Sequence, residues 1–209
     1  MIQSFRALLI DSRGRLSAYC FPSSTCLLDH ATWGNDGVNY IASRLVGKLF
    51  RVAWVGDMSR MRPTLIDRDL YRYVRNRCVP AYDINRTTSF NLWGLYFVNH
   101  TKRSYIECTR YFCDAGGENG FTDSWVLHPL PLLTAIGNGR GEDDYCGINQ
   151  ELVGSWAMDM ISFSIFAPDE YKQMNYVFYE GPRRDVPSLF EMSADYDLSL
   201  HMLESKRLR

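Results

Sequence analysis

The stretch FRALLIDSRGRLSAYCF, Phe5–Phe21, decides how the chain is read. FRALLI and RLSAYCF are short runs that suit a pleated backbone, and the DSRG between them supplies Asp, Ser and Gly, residues that close tight turns. A hairpin is expected here. Further along, KLFRVAWVGDM (48–58) reads as a strand, apolar on both faces from Val52 to Val55 and stopped by Gly56 and Asp57. The aromatic runs FNLWGLYFV and RSYIECTRYF flank the polar NHTK (99–102) and form a second expected hairpin. SWVLH (124–128), the second half of LVGSWAMDMISFSIF (152–166) and NYVFYEG (175–181) complete the expected strands.

Two helices are expected among them. VNYIASRL (38–45) is a short one. PTLIDRDLYRYVRNR (63–77) begins with Thr64 in an N-cap position and Asp67 three residues on, and Ile66, Leu70, Tyr73, Val74 and Arg77 recur at helical spacing until Pro80. The expected fold is therefore α+β: a mainly antiparallel sheet built from hairpins, with one or two helices packed on it. Residues 1–181 read as a single domain. From Pro182 the sequence changes to GPRRDVP, and Ser188 with Glu191 opens a C-terminal extension, 182–209, with a helical capping pattern.

Composition narrows the function classes. A chain of 209 residues, 46% apolar and 22% charged, is a globular domain large enough to be held by its core. Twenty-three Lys and Arg against 24 Asp and Glu leave a net charge of -1, so no overall field attracts nucleic acid or an anionic membrane. No signal-peptide pattern opens the sequence and no apolar run approaches membrane-spanning length. The expected setting is cytoplasmic, or within a viral particle, with the six dispersed cysteines reduced.

LHPLPLLTAIGNGRGEDDYCG, Leu127–Gly147, is the most unusual run. Pro129 and Pro131 exclude a central strand or a helix interior. Within Gly137-Asn-Gly-Arg-Gly141, glycines can turn successive N–H groups into one concavity, and Arg140 adds a bidentate fork for an anion. Asn138, Gly139, Arg140, Asp144 and Lys102 are the ligand-binding candidates on this reading. The competing reading is a tight turn in which Arg140 pairs with Glu142, Asp143 or Asp144, acids whose field repels an anion.

Four residues are weak candidates for acid–base chemistry: His128, Arg140, Asp57 and His100, with no signature nucleophile beside them. The Cys108–Cys113 and Cys20–Cys26 spacings, with His100 and His30, do not match structural zinc sites, and neither a metal nor a cofactor is expected. Arg68, Arg72 and Arg75 share a helix face, a local basic surface for a polyanion or acidic partner, or a solvated face paired with Asp67 and Asp69.

Three segments carry a resemblance: WVGDM (54–58), VNHTKRSYIE (98–107), and LHPLPLLTAIGNGRGEDDY (127–145) continuing to VGSWAMDMIS (153–162). Together, over roughly residues 48–165, the chain resembles a family of uncharacterised proteins met in bacterial, phage and other viral or microbial genomes. The family pattern is W-x-G-D, N-H-T-K and H-P-L-P-L-L-T-x-x-G-N-G-R-G, with glycines where this chain has Glu142 and Asp143, an aromatic at Met58 and an arginine at Met158. The resemblance implies architecture and no activity.

The first functional expectation is a non-enzymatic interaction module acting through protein–protein contacts, open to homo-oligomerisation. The alternatives are a small-ligand binder or hydrolase-like enzyme centred on the glycine loop, and a structural component of a viral particle or other assembly.

Overall fold

The structure is a computed structural model that describes residues 3–21, 26–32, 35–59, 69–81, 92, 94–109, 125–139, 141, 144–175 and 178–180. The first hairpin forms as the sequence suggests. Strand β1 (Phe5–Asp11) returns as β2 (Leu16–Cys20), and Asp11 locks the turn by accepting the Arg13 and Arg15 N–H groups, each at 2.9 Å. Those bonds, the one from the Arg15 backbone first, hold the Asp11 carboxyl below its ordinary range.

Next come α1 (Leu27–Ala31), α2 (Asp36–Leu45) and β3 (Phe50–Gly56). The helix α2 begins because the Asn35 side chain accepts the Val38 N–H, and it places Val38, Ile41, Ala42 and Leu45 inward. After α3 (Leu70–Arg75) and β4 (Val79–Pro80) come β5 (Tyr96–Asn99), β6 (Ser104–Glu107), β7 (Trp125–Val126), α4 (Pro129–Leu133) and β8 (Ala135–Ile136). The chain closes, among the described residues, with β9 (Met160–Ser164), β10 (Lys172–Gln173) and β11 (Tyr179–Glu180).

Nine of these strands form one sheet in the order β10-β6-β5-β9-β3-β1-β2-β4, with β8 also paired to β3. The class is α+β, and the sheet is mixed rather than purely antiparallel. Its long ladders are antiparallel, while β10 on β6, β4 on β2 and β8 on β3 run parallel over two residues each. The strands β7 and β11 pair separately.

The central strands β1 and β3 lack polar alternation because both sheet faces are covered. Ala7, Leu9, Val52 and Trp54 pack with α1, α2 and α4, whereas Leu8, Ile10, Ala53 and Val55 pack with Leu70 and Val74 of α3. On the first face, Trp54 is fully buried and its indole N–H donates to His30 Nδ1 at 2.9 Å, with Phe21 4.0 Å from the imidazole.

Two expectations about helices need correction. The helix over 64–77 is described only from Leu70 to Arg75, and Thr64 and Asp67 lie outside the described residues. Asp69, at φ -53° and ψ 118° and accepting the Arg72 N–H, caps it, and it ends at Asn76 rather than at Pro80. Pro80 instead sits on an edge strand, where its missing N–H costs no ladder bond. At α4 the prolines do enter a helix, but a five-residue one, whose first-turn N–H groups have no helical acceptor anyway. The 182–209 extension lies outside the described residues.

Candidate functional site

The glycine loop is built on β8. Paired in parallel with Trp54 and Val55 of β3, Ala135 and Ile136 deliver Gly137 beside the Gly56–Ser59 turn. What fills the concavity is Gln3, a buried residue that the sequence reading passed over. Its amide nitrogen, in the orientation that satisfies its neighbours, donates to the Gly137 carbonyl at 3.1 Å and to Asp144 Oδ2 at 3.2 Å. A methyl group on Gly56, Gly137 or Gly141 would lie 2.0, 2.8 or 2.7 Å from a Gln3 side-chain atom, which is why the pattern is rich in glycine here. Gly137 also has φ 108°, a conformation that L side chains rarely adopt.

The rest of the loop is bound from within. Asp144 accepts the Gly141 N–H at 2.8 Å, standing where a bound anion would need to be. Asn138 donates to the Tyr145 carbonyl at 3.0 Å and accepts the Tyr145 N–H at 2.9 Å, and the Tyr145 ring is buried against Phe178. Gly139 is exposed at the tip. Asp57 is exposed within the neighbouring turn, its N–H donating to the Ser4 carbonyl. Arg140, Glu142 and Asp143 lie outside the described residues, so the closure seen is the work of Gln3, Asn138 and Asp144.

His128 belongs to a different environment. It caps α4, its Nδ1 accepting the Leu130 N–H at 3.1 Å while its backbone N–H donates to the Ala31 carbonyl at 2.7 Å. The ring is 1% exposed, and burial pushes its pKa down to about 3. A sealed, neutral imidazole cannot exchange protons with a substrate in solvent.

His100 and Lys102 form a third group around the β5–β6 turn. His100 Nε2 lies 2.8 Å from Ser162 Oγ and its Nδ1 3.4 Å from the Tyr171 hydroxyl, and burial lowers its pKa. Buried Asn99 accepts the Lys102 N–H and donates to Asp159 at 2.8 Å. Lys102 reaches the Ser155 carbonyl and lies 3.5 Å from Asp159. Arg103 pairs with Glu170 at 2.9 Å. These bonds tie the NHTK turn to the 155–171 segment.

The eight candidate residues thus divide into the closed loop (Asn138, Gly139 and Asp144, beside Asp57), the sealed cap (His128) and the NHTK turn (His100, Lys102), with Arg140 outside the described residues. The sequence reading missed Ser162, Tyr171, Asp159 and Gln3. Only Ser162 carries a sequence signal, as a polar residue between the apolar Ile161 and Phe163. The zinc candidates serve other ends: Cys26 Sγ accepts the Asp29 N–H as the cap of α1, and His30 accepts from Trp54.

On α3, Arg72 and Arg75 are exposed, and Arg68 lies outside the described residues. Asp69 is occupied as the helix cap. Among the described residues the large apolar side chains left exposed are Leu16, Leu49, Val79, Ile165 and Phe166. Ile165 and Phe166, just past β9, are 62% and 73% exposed, and Leu49 before β3 is 44% exposed. Ser164 fixes that turn by donating to the Phe166 carbonyl at 2.8 Å and accepting its N–H at 3.1 Å. No helix among the described residues is long and apolar enough to cross a membrane. Compared with known proteins, the chain matches no family model, no curated protein and no solved structure.

Proposed function

We propose that the protein is a non-enzymatic interaction module that binds another protein through the corner carrying Ile165 and Phe166. The observation that carries this reading is Phe166, 73% exposed beside a 62% exposed isoleucine in a turn that Ser164 hydrogen-bonds on both sides. Large apolar side chains are seldom presented together to water, and a turn fixed in advance loses little entropy when a partner covers it. The closed glycine loop and the sealed His128 weigh in the same direction. The test is the double variant Ile165→Ser, Phe166→Ser: it keeps the wild-type melting temperature and loses the protein partners that the wild-type chain retains. Retention of the same partners by the variant would overturn the proposal.

One observation favours a second reading, a hydrolase-like site displaced from the glycine loop to the NHTK turn. His100 within 2.8 Å of Ser162 Oγ, with Tyr171 on its other nitrogen, has the order of nucleophile, base and orienting group. Against it stands the burial of Ser162, 6% exposed within β9. A fluorophosphonate probe that labels Ser162 in the wild-type protein and not in His100→Ala would establish this reading, and absence of labelling removes it.

A further inference from the structure

On the α3 face of the sheet, two cysteines distant in sequence meet beside a cation. Cys20 ends β2, and Cys78 immediately precedes β4, which pairs in parallel with β2 through Tyr19–Val79 and Cys20–Pro80. The Ala81 N–H donates to the Cys20 carbonyl at 2.8 Å and fixes this junction. Side chains alternate along a strand, so Cys78, two residues before Pro80, stands on the same face as Cys20. The β1–β2 register, Ala7 with Tyr19, brings Arg6 alongside on that face. Its guanidinium donates to Cys78 Sγ at 3.2 Å and lies 5.8 Å from the Tyr71 ring.

We propose that Cys20 and Cys78 are a reversible oxidation site, in which Cys78 is the nucleophile toward a peroxide and Cys20 the thiol that resolves it into a disulfide. Arg6 is what divides the roles. Its guanidinium donates to Cys78 Sγ, which puts the cation at the sulfur that attacks the peroxide, while the Cys78 thiol also lies 3.5 Å from the Arg75 carbonyl. The Cys20 thiol is pushed up by burial and then by its hydrogen bond to Cys78, so it keeps its proton until the second step. Both cysteines are partly exposed, as a small oxidant requires. Cys108, by contrast, is buried and pushed up to about 12.

With hydrogen peroxide as oxidant, the Cys78 thiolate attacks one oxygen and the O–O bond breaks, giving a sulfenic acid and a hydroxide that takes up a proton as water. The Cys20 sulfur then attacks the Cys78 sulfur. The S–O bond breaks, the hydroxyl leaves with the Cys20 proton as a second water, and the S–S bond closes. Two thiols are oxidised by two electrons in all, and the peroxide is reduced to two waters. The bond would staple the short edge strand β4 and the end of α3 to β2, and a thiol reductant would release it.

The experiment treats the reduced full chain with hydrogen peroxide, blocks remaining thiols with N-ethylmaleimide and maps the peptides by mass spectrometry without reduction. The expected result is a Cys20–Cys78 linked peptide that disappears with dithiothreitol. In Cys20→Ser the sulfenic acid persists and dimedone labels Cys78, and adding Arg6→Met slows that labelling roughly tenfold. Oxidation of exposed Cys146 with no Cys20–Cys78 peptide, or dimedone on Cys20 in Cys78→Ser at the same rate, would overturn the assignment.

Discussion

Gln3 holds the glycine loop shut through one amide group. Removing that amide takes the donor from the half-buried Gly137 carbonyl and one of the donors from Asp144 Oδ2, which keeps the Gly141 N–H, at a cost of about 1–3 kcal/mol. Gln3→Ala should lower the urea midpoint accordingly, with the slope unchanged. His128 gives a prediction with a sign. Its folded pKa is depressed to about 3, against about 6.5 in the unfolded chain, so the unfolded state binds the extra proton between those values. The stability it contributes is complete above about pH 6.5 and is lost as pH falls toward 3, at up to about 1.4 kcal/mol per unit. His128→Asn keeps an acceptor for the Leu130 N–H and does not titrate, so the difference between its pH–stability profile and the wild type should show that slope. A difference independent of pH would place the imidazole in contact with solvent. The acids beside the glycine run made a self-satisfied turn one of two readings; the Arg140 pairing it invoked lies outside the described residues, and Asp144 accepts the Gly141 N–H instead. The partner that fills the turn was not legible: Gln3 is distant in sequence and nothing around it marks it as buried.

At the scale of elements, local signals were read well and boundaries less so. Both hairpins and α2 follow from turn residues and helical spacing that lie within a few positions of one another. The start of α3 did not: the expected capping pair Thr64 and Asp67 lies outside the described residues, and the cap seen is Asp69, whose side chain accepts the Arg72 N–H. Asp69→Ala should cost about 1 kcal/mol, measured by thermal or urea unfolding. The one-turn helix α4 was hidden by its own prolines, which exclude a helix interior and equally suit a first turn. Its exit is constrained by Gly154, whose φ is 78° and whose added methyl would lie 2.5 Å from the Ala135 carbonyl oxygen. Gly154→Ala is therefore expected to destabilise by more than about 1 kcal/mol, since neither the backbone angle nor the neighbouring main chain can yield cheaply.

Across the whole molecule, the sheet joins segments that the sequence leaves far apart. The strand β9 enters between β5 and β3, and β8 runs parallel beside Trp54, pairings that no local pattern announces. For the same reason the site candidates could be named individually but not placed: the fold puts His128 beside Ala31 of α1, His100 against Ser162 of β9 and Asn138 against the Tyr145 backbone. Ile165 and Phe166 are the most exposed of the large apolar side chains among the described residues, ahead of Val79, Leu49 and Leu16, and the proposal is that this corner meets another protein. The direct measurement is site-specific photo-crosslinking in a cell extract with a photoreactive phenylalanine analogue at position 166, and the same analogue at exposed Gly139 as control. The account predicts a discrete crosslinked protein at 166, a second copy of the chain included, that excess wild-type protein competes away and the Ile165→Ser, Phe166→Ser protein does not. Equal crosslinking at 139 and 166, or equal competition by the variant, would contradict it.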